Sequence, residues 1–172
     1  DALYAVDSDG RVWFVPLSPS GFSAPELIAD FSDMAAVFRQ PLQLVQTLTP
    51  AGADIMQRQA MLLIIASTIE NGDTLLAVKH SPQQQSVVQL TDLTDRSFLS
   101  ETEMNSGITE QLWQQIQLGA GWYVQMNKRI TSVPKVYAGV VYLSSADVGM
   151  VRPDCSLADN TELEIHALHL HH

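Results

Sequence analysis

Alternation of apolar and polar residues dominates the chain and appears at its start. Two runs rich in β-branched and aromatic residues, 3–6 and 12–17, are joined by Asp7-Ser8-Asp9-Gly10. An Asp-Gly turn between two such runs predicts a short β-hairpin. In the second run Val12 and Phe14 share one side, and Trp13, Val15 and Leu17 share the other. Bulk on both sides predicts a strand held between two covering layers, which suits stacked sheets. Residues 18–58 are interrupted by Pro19, Pro25, Pro41 and Pro50. They read as loops with one short strand near 42–45.

From Ala60 the pattern returns. Runs 61–68 and 74–79 flank Glu70-Asn71-Gly72-Asp73, and Asn-Gly readily takes the positive φ angles of a tight turn, so this is the clearest hairpin in the chain. A third strand is expected at 86–90, after the polar Pro82-Gln83-Gln84-Gln85 connection, giving an antiparallel meander. Ile108, Leu112 and Ile116 recur every fourth position with Trp113 beside them. That spacing predicts one helix near 107–118, its apolar stripe packed on a sheet and its end marked by Gly119 and Gly121. Runs 122–126, 129–136, 140–144 and 162–169 read as four more strands, the middle pair turning at Ala138-Gly139. The class is mainly β, with antiparallel meander sheets in a single domain spanning 1–172.

Composition narrows the function. A net charge of -10 repels a phosphate backbone, and no cluster of Lys and Arg offsets it, so nucleic acid is not expected as a partner. The longest apolar run, 61–66, is too short to cross a bilayer, so no membrane-spanning segment is expected. The chain opens on Asp1 rather than a basic and then apolar leader, so an export signal would lie upstream. Cys155 is the single cysteine. It permits no disulfide within these residues and reads as a buried or capped thiol.

Several blocks together resemble a known family. The segment 3–18, with Tyr4-Ala5 and Asp7 before Gly10, Trp13, Phe14, Leu17 and Ser18, is similar to the "YAGD-x-x-G-x-x-W-x-F-D-L-S" strand pair of the PilC/PilY proteins at the tip of type IV pili. Gln40-Pro41 resembles that family's Gln-Pro step, and 75–79 with 87–93 resembles its "LYAI-x-D" strand and following segment. Gly121-Trp122-Tyr123-Val124-Gln125-Met126, Lys128-Arg129-Ile130, Pro134, Val136, Gly139-Val140-Val141-Tyr142 and Pro153-Asp154-Cys155 follow the family's "GWYLDL…GERV…P-x-V…GG-x-V-x-F-x-T…P-x-x-x-C" run in order. Roughly half the chain is covered. Lys128 and Gln125 depart from the family's Glu and Asp, and Ile65-Ala66-Ser67-Thr68 stands at its Gly-Thr-Gly.

The resemblance implies the C-terminal β-propeller of such a protein. At about 40 to 45 residues per blade, this length supplies at most about four blades, so an incomplete propeller or a fragment of one is expected. The implied role is non-enzymatic: pilus assembly, retraction control and surface adhesion, in an exported protein of the periplasm, outer-membrane surface or pilus tip. The implied partners are minor pilins or other pilus components and a host or abiotic surface. The family's calcium loop, D-x-[DN]-x-D-G-x-x-D, runs directly into the first strand. Asp1 matches only its last position, so calcium is implied for a longer protein rather than for these residues alone.

Three candidate sites are open on the residues themselves. Asp7 and Asp9 are either a structural turn or part of a metal site, and calcium's six to eight oxygens would then require distant loops. His166, His169, His171 and His172 end the chain. On a strand His169 and His171 share a face and could offer zinc two imidazoles, or they form a solvated strand end. Trp13, Trp113 and Trp122 read as packing rather than as a ligand platform. Two other functions stand beside the pilus reading. One is a quinoprotein-like propeller dehydrogenase, which needs calcium and an Asp base at its centre; the other is a generic extracellular binding domain.

Overall fold

The computed structural model describes residues 2–52, 55–68, 72–82, 86–97, 110–147 and 162–170. The fold is mainly β. Its first sheet contains β1 (Ala2–Val6), β2 (Arg11–Ser18), β3 (Gly21–Phe22) and β4 (Glu26–Asp30), with β1 and β4 on opposite sides of β2. Its second sheet runs β5 (Gln43–Gly52), β6 (Ile55–Ser67), β7 (Asp73–His80), β9 (Gly121–Gln125), β8 (Thr94–Asp95). The α-helix α1 (Glu110–Leu118) leads into β9. In the third sheet, β12 (Val140–Ala146) pairs β13 (Leu163–His169) on one edge, and β10 (Arg129–Ile130) and β11 (Lys135–Tyr137) on the other. Pairing is antiparallel except between β8 and β9 and at the Ala29–Val88 bridge.

The sheets stack face to face with the second in the middle. Val12, Phe14 and Ile28 of the first sheet meet Leu62, Ile64, Leu76 and Val78. The intervening positions, Met61, Leu63, Ile65, Leu75 and Ala77, face the other way, onto Ile116 of α1 and Ile130, Val141 and Leu143 of the third sheet. Every residue of β7 is buried. Period-two geometry sends successive side chains to opposite faces, so the unbroken apolar run Leu75–Val78 at the middle of β7 satisfies two cores at once. Each large apolar side chain so buried stabilises the fold by roughly 1.5–3 kcal/mol.

This corrects the expectation for β2. Its outward side carries Trp13 and Val15, half-buried, and Leu17, exposed, so β2 is covered on one face and the sandwiched strands are β6 and β7. The outer face of the third sheet is likewise open: Tyr142 is 42 % exposed there, and Ile165 is 80 % exposed. The sheets do not close on themselves, and the expectation of a propeller is not confirmed.

Other expectations shift for local reasons. Residues 18–58 contain β4 and most of the long β5–β6 hairpin as well as loops. Pro50 is tolerated because β5 is an edge strand and the register shifts between Pro50 and Gly52. Segment 86–90 is not the neighbour of β7. Its Val88 exchanges backbone hydrogen bonds with Ile28 and Asp30, and a capping box between Gln89 and Asp92 turns the chain into a short 3-10 helix. Run 129–136 splits into β10 and β11: Ser132 Oγ accepts the Ser144 N–H at 2.8 Å, and Pro134 has no N–H to offer the ladder. Ala138 and Gly139, at φ 49° and 78°, make the expected turn between β11 and β12. Of the expected helix, residues 107–109 lie outside the described residues, as do Glu70, Asn71 and Cys155.

At the end of β7, Lys79 is buried and donates from Nζ to the Ile116 and Gln117 carbonyls, at 2.5 and 2.8 Å, the last turn of α1. A cation suits those unpaired carbonyls. Burial nevertheless pushes the ammonium down to about 8. The unfolded chain holds that proton up to about pH 10.4. Between about pH 8 and 10.4 the unfolded state therefore binds more protons and stability rises with pH, while at pH 7 the buried charge costs on the order of 3 kcal/mol. Urea unfolding should show wild type gaining stability across this window relative to Lys79→Met. Parallel pH profiles would refute the assignment.

Candidate functional site

The sequence candidates separate in space. Asp7 is committed to its turn: Oδ1 accepts the N–H groups of Asp9 (3.1 Å) and Arg11 (2.9 Å), and Oδ2 accepts Trp13 Nε1–H (3.1 Å). Partial burial works to raise its pKa, but the hydrogen bonds from Arg11, Trp13 and Asp9 outweigh it and hold the carboxyl below the usual range. Gly10 closes this turn at φ 85°, with the Phe38 ring where a Cβ would stand. Asp9 points outward and pairs with Arg11 at 3.4 Å. Asp1 lies outside the described residues, as do His171 and His172. Among the described residues no group of three or more His, Cys, Asp and Glu is placed to hold a metal, and no helix is long and apolar enough to cross a membrane.

His166 belongs to a polar cluster between the second and third sheets. Lys128 Nζ meets Glu164 at 2.6 Å and Glu162 and Asp147 at 3.4 Å. The Glu164 hydrogen bond, aided by Glu162 and Asp147, raises the lysine pKa against desolvation. Ser145 Oγ lies 2.7 Å from His166 Nε2, and Glu164 lies 3.6 Å from the same nitrogen. A hydrolytic triad engages the two imidazole nitrogens separately and exposes its hydroxyl to substrate. Here both partners share Nε2, and Ser145 is fully buried. The arrangement ties β13 to the β9–β10 connection.

A concave surface lies where the edges of the first two sheets meet. Tyr4 and Phe14 of the first sheet and His80 of the second form an aromatic cluster, with ring centroids 4.7–5.6 Å apart and Tyr4 Oη 3.0 Å from His80 Nδ1. Burial pushes the His80 pKa down, with Glu26 partly opposing it. These three side chains, with Arg58 and Gln59, line a cavity of about 500 Å³. Gln59 contributes to this lining only along β6, since its side chain shares the face of Met61 and Leu63. On the other side of Tyr4 a second cavity, of about 440 Å³, lies between β1 and Phe38, Arg39 and Leu42.

No motif marks this groove as a site: Tyr4, Phe14 and Gln40-Pro41 stand in the resembling blocks only as framework residues, and His80 stands in none. Tyr4 and His80 are 76 positions apart and meet only through sheet stacking. One signal was present: Arg39 is the only charged residue in 34–53 of an acidic chain, so no sequence neighbour neutralises it. Trp13 faces outward beside Asp7, Trp122 is buried under the third sheet, and the Trp113 side chain lies outside the description.

No family model, no curated protein and no solved structure matches the chain, so the likeness to pilus-tip proteins rests on the sequence blocks alone.

Proposed function

We propose that the chain is a non-enzymatic binding module of a type IV pilus tip or biogenesis protein, exported to the periplasm, outer-membrane surface or pilus tip. Its role on this reading is pilus assembly, control of retraction and adhesion to a host or abiotic surface, with minor pilins as the nearest partners. The observation that supports it is the position of the resembling blocks. The blocks at 3–18, 75–79, 121–126 and 128–142 fall on β1–β2, β7, β9 and β10–β12, strands drawn from all three sheets, while Gln40-Pro41 and 87–93 fall between strands and 153–155 lie outside the described residues; the likeness thus extends beyond one local hairpin.

Biolayer interferometry with purified minor-pilin ectodomains over the immobilised chain is expected to give saturable binding, and deletion of the gene in a piliated host to reduce surface pili and twitching. Absence of both effects overturns the reading. So does a stoichiometric absorbance change on adding pyrroloquinoline quinone with calcium, accompanied by dye-linked alcohol oxidation, which would place the chain among dehydrogenases.

A further inference from the structure

We infer that the free edge of β1 is a docking site for an extended acidic peptide segment of a partner protein, added to the first sheet as a further strand. The inference narrows the binding-module reading to one surface and one partner chemistry.

Backbone geometry comes first. β1 pairs only with β2. Asp7 N–H donates to Arg11 O, and hydrogen-bonded pairs alternate along an antiparallel ladder. Leu3 and Ala5 therefore bond to β2, while Ala2, Tyr4 and Val6 direct N–H and C=O to the other edge. Pro16, which has no N–H, stands opposite Ala2, consistent with that phase. Among the described residues, no backbone hydrogen bond outside the ladders involves Ala2, Tyr4 or Val6. An unpaired edge of this kind is what a β-augmenting peptide uses for affinity.

Space and charge supply the selectivity. The two cavities flank Tyr4 along this edge, and a strand's side chains alternate in direction, so inward-pointing side chains of an added strand fall on either side of the Tyr4 ring. Arg58 lines one cavity and Arg39 the other; both are exposed, and among the described residues neither has an ion-pair partner. By contrast Arg11, Lys128 and Arg129 are all paired with carboxylates. Two unneutralised guanidinium groups along one groove of a chain with net charge -10 form a local positive rim that favours carboxylates and disfavours cations.

The probe is an N-acetylated, C-amidated hexapeptide alternating Val and Glu, compared with its Val/Lys counterpart by fluorescence anisotropy and by amide exchange on the 172-residue chain. The Glu peptide is expected to bind at least ten-fold more tightly than the Lys peptide and to protect the Tyr4 and Val6 amides. The Arg39→Ala/Arg58→Ala double variant, which breaks no ion pair among the described residues, is expected to weaken it at least ten-fold. Equal affinity for the two peptides, undiminished binding by the double variant, or binding that leaves Tyr4 and Val6 exchanging freely overturns the inference. So does a sedimenting dimer whose Tyr4 and Val6 amides are already protected, since a second copy would then hold the edge. A pilus-tip protein can fail these tests and still bind pilins, so the two proposals fall separately.

Discussion

Replacing Trp122 by alanine is expected to destabilise the fold by about 3–5 kcal/mol, the range for truncating a large buried aromatic. The side chain is fully buried in the core between the second and third sheets, and it also carries polar work. Its Nε1–H donates to the Leu170 carbonyl at 2.8 Å, and the Arg96 guanidinium lies over its ring at 4.6 Å while donating to His169 O. Trp122 is thus the point where β9 holds the end of β13. Alanine would open a cavity, strip the Leu170 carbonyl of its donor and remove the face on which a buried cation rests. Trp122→Phe, which keeps a ring but no N–H, should lose less. Urea unfolding curves measure both; a Trp122→Ala midpoint equal to wild type would refute the assigned packing.

Asp73→Ala is expected to cost on the order of 3 kcal/mol. The carboxylate at the start of β7 is buried, accepts the Ile130 N–H at 2.8 Å and pairs with Arg129 at 2.7 Å. The backbone at the same residue donates to Lys128 O and accepts from Met126 N–H, so one position stitches the second sheet to the third. An unsatisfied buried N–H costs about 1–3 kcal/mol. The broken ion pair adds less than a fully buried one would, because the Arg129 side chain is 31 % exposed. Asp73→Asn retains an acceptor for Ile130 and should fall between wild type and Asp73→Ala. If the two variants lose equal stability, the charge rather than the hydrogen bond is what matters.

The parts of this fold that were legible in the sequence are those specified locally. Asp9-Gly10, the 61–79 pair of runs and Ala138-Gly139 each join strands directly, so turn chemistry and alternation suffice to find them. β4 escaped because a five-residue strand behind Pro25 carries only three apolar residues. Val87 and Val88 looked like part of a meander, yet Val88 is held by β4, almost sixty positions earlier, and alternation says nothing about which sheet a strand joins. Which of two doubly apolar strands is sandwiched also depends on stacking: β2 and β6 read alike, and only β6 is covered on both sides. Of the candidate site residues, Asp7 could be placed in its turn from sequence. The Tyr4–Phe14–His80 groove could not, since it exists only where two sheet edges come together.

The stacking order of the sheets also follows the order in which the chain is made. Leu62, Ile64, Leu76 and Val78 can settle onto β2 and β4 as soon as β7 has emerged, because their covering layer already exists. Met61, Leu63, Ile65 and Leu75 meet only Ile116 and Ile130 until β12 adds Val141 and Leu143, and Trp122 is not sealed until Leu170 arrives. During synthesis the second face of the central sheet is therefore bare for longest, and bare β-surface is what chaperones bind and aggregates recruit. A chain stopped between β9 and β13 should be the species most dependent on a holding chaperone, although it already contains every strand of the first two sheets.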